Sequence, residues 1–245
     1  MMAQEHKKTC PFCQGFHWHK YQYLEEKLIE ISRYVTIDEN NFEAWGEEIA
    51  DIIVLIGNAM DTFFKDMYDC PNFGNEAFKK KKRKLILPDY QRVYQDYYKL
   101  SENTMYLQFG LGKAQTLSPF KDFSSIPPVW WEAYNQTKHG FYSSMETANL
   151  GNALNLLAGL LILNALHFCS KLHLTQRKVF GGRLNQHETL HQLTTSKIGT
   201  TMWGSSLRIT TKLFNFSYRV DELIVQPRAD PLIIFDAKFP HSYME

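Results

Sequence analysis

Ile49-Ala-Asp-Ile-Ile-Val-Leu-Ile-Gly-Asn-Ala-Met-Asp-Thr-Phe-Phe-Lys-Asp-Met67 is the stretch on which the fold turns. Ile49, Ile52, Ile53, Ile56, Met60, Phe63, Phe64 and Met67 recur at three- and four-residue spacing, while Asp51, Asn58 and Asp61 fall off that stripe. An α-helix repeats every 3.6 residues, so the pattern predicts one broad apolar face and one wet face, in a helix over about 42–68. Working outward, Leu24, Leu28, Ile31 and Val35 predict a helix over 21–35. Residues 71–87 read as a break, and Pro88 opens a further helix with Tyr90, Val93, Tyr94, Tyr97 and Leu100 on one face. Residues 105–126 lose the helical period, and Gly110, Gly112 and Pro119 make them a loop or short hairpin. Ser125 ahead of Pro127 and Pro128 marks a helix start, because proline fits the first turn. Helical pattern then runs from Val129 to Phe141 and from about Met145 to Leu172, with Gly140 bending or dividing it.

Past Lys178 the texture changes. Gly181-Gly182 reads as a linker, Leu213 to Val220 alternates as a strand does, and Leu223–Val225 and Leu232–Phe235 are short strand candidates. The expected fold class is therefore mainly α. It comprises an N-terminal segment over 1–20, a helical bundle over 21–175, and a small β-containing C-terminal region over 176–245.

Hydrophobic residues make up 44% of the 245 and aromatics 14%, enough for a core built largely on rings. A formal net charge of +1 excludes a global polycation, so any nucleic acid must be held by a local patch. The run Lys79, Lys80, Lys81, Lys82, Arg83, Lys84 is such a patch; it reads either as a row of phosphate contacts or as a solvated loop. Met1–Lys8 is polar and carries no secretory h-region. The longest apolar stretch, Leu156–Leu163, is closed by Asn155 and Asn164, far short of the roughly 20 residues a bilayer requires. The expectation is a cytoplasmic protein with no membrane partner.

Four cysteines do not make a disulfide framework in a chain of this length. Cys10-Pro-Phe-Cys13-Gln-Gly-Phe-His17-Trp-His19 instead looks like a zinc knuckle, because the short turn aims two thiolates at one ion. His17 or His19 would complete a tetrahedron, with Cys70 as a distant candidate, and the cofactor expected is one structural zinc ion. Cys169 ends an apolar helical pattern and reads as a small core residue. A second metal motif is His187-Glu188-Thr-Leu-His191. On a helix, His187 and His191 would share a face and Glu188 would activate a zinc-bound water, making a zinc-dependent hydrolase. Gly181-Gly182 before it and Thr194-Thr-Ser after it favour a polar surface turn instead.

The segment Trp130-Trp-Glu-Ala-Tyr-Asn-Gln-Thr-Lys-His139 places Asn135 and His139 on one helical face, with Tyr134 and Lys138 in the adjacent row. Together with the Ile49–Met67 helix and the Ala/Leu-rich Met145–Phe168, it resembles the HEPN superfamily, helical-bundle proteins of toxin–antitoxin, abortive-infection and CRISPR-associated systems. The likeness covers about half the chain and rests on texture and one short motif. It implies a homodimer that cleaves RNA without a metal, an Arg and a His lining the cleft. Here it implies His139 as acid or base, Asn135 as positioner and Lys138 as phosphate contact, in a cleft beside Asn58 or Asp61. The family's Arg position holds Tyr134, which cannot supply an always-charged bidentate contact. RNA or a nucleotide is thus the implied partner. A catalytically inactive interaction module is the alternative.

Overall fold

The Ile49–Met67 stripe is helical and its apolar residues are buried, in a helix that runs Glu47–Asp69. This computed structural model describes residues 10–70, 86–107, 115–140, 145–177, 179–182 and 206–219. Among them the helices are α1 (Phe16–Ile31), α2 (Glu47–Asp69), α3 (Leu87–Tyr98), α4 (Val129–Gly140), α5 (Leu150–Leu166) and α6 (Phe168–Gln176). The strands are β1 (Met105–Leu107), β2 (Gln115–Leu117), β3 (Phe180–Gly182), β4 (Ser206–Thr210) and β5 (Phe214–Arg219). The chain is a helical bundle with a small β part.

Two helices begin elsewhere than the apolar pattern suggests. α1 starts inside the expected loop because Gly15, in the left-handed region at φ 78°, turns the chain directly into helix at Phe16. α2 starts at Glu47 rather than near Phe42, because Trp45 makes a β-bridge with Asn149 and Gly46 is the cap residue. Glu47 and Glu48 then sit in the first turn, where carboxylates complement the helix dipole. Asp89 caps α3 by accepting from the Ile86 amide at 3.1 Å.

The expected helix from Met145 to Leu172 is two helices. α5 is capped by Asn149, whose side chain accepts from the Asn152 amide at 2.9 Å. At His167 the backbone leaves helical geometry (φ −67°, ψ 128°), and α6 departs at 85° to α5. α5 is buried almost all round and lies against α1, α2, α4 and α6. No single helix among the described residues is long and apolar enough to cross a membrane, and the pair that passes together by length and composition is α5 and α6, bent at this break.

The strands form one antiparallel sheet in the order β2-β1-β5-β4-β3. It takes β1 and β2 from before position 176 and β3, β4 and β5 from after it, so the sheet spans the expected domain boundary. The Gly181-Gly182 pair, expected as linker, lies in β3 opposite Leu207 and Arg208. A buried carboxylate clamps the sheet to the bundle. Glu25 Oε1 on α1 accepts from Tyr21 Oη at 2.9 Å, from the Leu213 amide at 3.0 Å and from Thr211 Oγ1. The strand candidates at 223–225 and 232–235 lie outside the described residues.

Candidate metal centre

Three cysteines far apart in sequence converge at one end of the bundle. The Sγ atoms of Cys10, Cys70 and Cys169 all lie within 4.8 Å of one another, and all three residues are buried. Cys70 Sγ and Cys169 Sγ are 3.9 Å apart, and none of the four cysteines forms a disulfide. Each sulfur is delivered by a helix end. Cys70 caps the C-terminus of α2, its amide donating to Met67 O. Cys169 sits in the first turn of α6, which begins after the break at His167. Cys10 lies in the turn before α1, closed by Gln14 N→Cys10 O at 3.1 Å and Gly15 N→Phe12 O at 3.0 Å.

Cys13 lies beside this trio without belonging to it by the same distances, its side chain interacting with those of Cys10 and Cys169. Bonds from Cys13, Cys169 and Cys70 hold the Cys10 thiol pKa below the usual range. Cys169, bonded to Cys10 and buried, is held up as a thiol. Thiolates in apolar surroundings are costly unless shared or metal-bound, so the group has the chemistry of a soft-metal site. The buried Cys10, Cys70 and Cys169 could hold a metal ion.

Packing fixes the turn. Phe12 points into the core between two imidazoles, its ring centroid 4.4 Å from His17 and 3.9 Å from His167. Gly15 packs directly on His173: a Cβ there would lie 2.3 Å from the imidazole.

Cys70 and Cys169, rather than His17 or His19, stand with Cys10. His17 turns its Nε2 onto Asp66 at 2.9 Å, and burial holds its pKa below the usual range against that carboxylate. His19 is exposed, its ring 5.9 Å from that of His173. Cys70 is the distant sulfur the sequence offers. Cys169, read from sequence as a core residue, is both core and ligand candidate, and no spacing motif marks it.

The α4 residues lie along the seam with α2. Tyr134 is buried and donates from its hydroxyl to Asn58 Oδ1 at 2.9 Å. Lys138 Nζ donates to the same hydroxyl at 2.9 Å, and that bond, helped by Asp61 nearby, raises the Lys138 pKa. Asn135 is half-buried and His139 is exposed in the last turn. Asn58 thus pairs with Tyr134, and no described hydrogen bond joins it to His139. The run Lys79–Lys84 and the motif His187-Glu188-x-x-His191 lie outside the described residues. No family model, no curated protein and no solved structure matches this chain.

Proposed function

We propose that one zinc ion, bound through Cys10, Cys70 and Cys169, staples this helical bundle and serves a structural role. The observation that carries the reading is the 3.9 Å separation of Cys70 Sγ and Cys169 Sγ. Sulfurs about 2.3 Å from one tetrahedral zinc lie about 3.8 Å apart. A [4Fe–4S] cluster puts each thiolate on a different iron and needs them spread wider. The donor set is all sulfur, which suits zinc and excludes the hard cations magnesium and calcium.

The test is metal content by mass spectrometry on protein purified under reducing conditions, followed by thermal melting with and without a strong chelator. One zinc per chain, with a lower melting temperature after stripping, is expected. A chain that neither holds zinc as purified nor takes it up on reconstitution would end the reading.

A second reading rests on the polar rib Asn58–Tyr134–Lys138 between α2 and α4. As the HEPN resemblance implies, this face and the neighbouring His139 and Asn135 handle RNA or a nucleotide, in a homodimer acting in defence or toxin–antitoxin biology. Because the Tyr134 hydroxyl is committed on both sides, the rib favours binding over cleavage, with His139 the remaining acid or base. Incubating labelled mixed-sequence RNA with the protein and with His139→Ala, with and without EDTA, separates the outcomes. Retention without cleavage supports the binding module. Cleavage that survives EDTA and vanishes in the variant makes it a metal-independent ribonuclease, and neither retention nor cleavage removes the reading.

A further inference from the structure

We infer that Cys13 is the fourth ligand, so that the ion sits in a closed tetrathiolate with no position left for water or substrate. This rests on the structural-zinc reading and specifies its coordination.

Cys10 and Cys13 occupy one tight turn, closed by the Gln14 amide on Cys10 O and the Phe16 amide on Pro11 O at 3.0 Å. Residues three apart in such a turn point their side chains the same way, which is how a Cys-x2-Cys pair grips one ion. The Cys13 side chain interacts with those of Cys10 and Cys169, while its sulfur lies outside the trio whose members are all within 4.8 Å of one another; a rotation of this half-buried side chain completes the set. The turn is braced from behind. His173 on α6 hydrogen bonds the Cys13 backbone, and its ring occupies the space a side chain at position 15 would need. α6 thereby supplies both a ligand, Cys169, and the prop that sets the angle of Cys13. Of the two histidines in the Cys10–His19 motif, His17 turns its Nε2 onto Asp66 and His19 faces outward at the surface. Cys13 differs from its partners in being only half-buried, whereas Cys10, Cys70 and Cys169 are buried. The closed sphere makes the ion structural, and Cys13 is its solvent-facing corner.

Zinc K-edge absorption on the wild-type protein counts the ligands directly and needs no variant. Four sulfurs in the first shell are expected. Three sulfurs with one nitrogen or oxygen would overturn the assignment while leaving the zinc staple intact, and absence of zinc would end both. Cobalt-substituted protein assigns the fourth position. Cys13→Ser should keep one cobalt per chain but lose part of the sulfur-to-cobalt charge-transfer intensity, while His17→Ala should leave the spectrum unchanged. A Cys13→Ser spectrum identical to wild type, or a spectrum altered by His17→Ala, would refute Cys13.

Discussion

Replacing Cys169 by Ser should cost this protein about 4–5 kcal/mol of stability. Cys70 and Cys169 are 99 residues apart in the chain, and a cross-link closing a loop of about that length removes about 4.7 kcal/mol of entropy from the unfolded state. Domains have only about 5–15 kcal/mol in total, so the loss is a large fraction of the whole. At a guanidinium m-value of about 4 kcal/mol/M it corresponds to a midpoint lower by about 1 M. The assay is guanidinium denaturation followed by far-UV circular dichroism, with zinc content measured on the same samples. Wild type stripped by a chelator should fall to nearly the midpoint of metal-stripped Cys169→Ser, because both then lack the link between Cys70 and Cys169. The reasoning is refuted if the zinc-free variant unfolds within about 0.5 kcal/mol of zinc-loaded wild type, a size ordinary for a surface substitution.

Three further outcomes follow from the packing and the titrating groups. Gly57→Ala should destabilise by about 1–3 kcal/mol by overpacking, since its Cβ would lie 2.1 Å from Tyr134 Cδ2; Gly46→Ala, with nothing within 4 Å, is the control for thermal melting. Glu25→Ala strands the Leu213 amide, while the Tyr21 hydroxyl keeps Thr211 Oγ1 at 3.1 Å. At about 1–3 kcal/mol for an orphaned donor it should destabilise by about 1–3 kcal/mol, with faster hydrogen exchange at Leu213; an unchanged exchange rate would dismiss the clamp. Burial raises Tyr21, Tyr94 and Tyr98 well above the ordinary tyrosine range and Tyr90 to about 12. A raised folded-state pKa means the fold holds its proton more tightly than the unfolded chain. That stability is complete below about pH 10 and drains away as pH rises towards about 12. Denaturation at stepped pH, with tyrosinate absorbance at 295 nm, should show stability falling across that window, and a flat profile would contradict it.

The helices were legible wherever one face is apolar and the other polar. Ile49 to Met67 is the clearest case, since each buried position there repeats a helical step. The break at His167 was not legible, because Ala165, Leu166 and Phe168 continue the apolar run and local propensity carries no angle. The bend belongs to tertiary packing. The sheet was half-legible. Alternation marks β5, but its partner β1 lies more than a hundred residues earlier, and no local pattern encodes such a pairing. The knuckle turn announced itself by its spacing. Its remaining sulfurs did not, because a buried cysteine beside leucines looks the same whether it fills space or faces an ion. What reveals Cys169 is that α2 ends and α6 begins at the same place.

The scattering of these sulfurs also orders events in time. Cys10 and Cys13 leave the ribosome early, Cys70 later, and Cys169 only after 99 further residues. No full set of donors exists until α6 has been made and swung across the end of α5. During synthesis, which adds about 5–20 residues each second, the nascent bundle must therefore persist for several seconds without its staple. On the proposed zinc reading, ion capture would be a checkpoint on assembly rather than a nucleus for it: a chain that fails to bring its last helix home would stay metal-free and open to degradation.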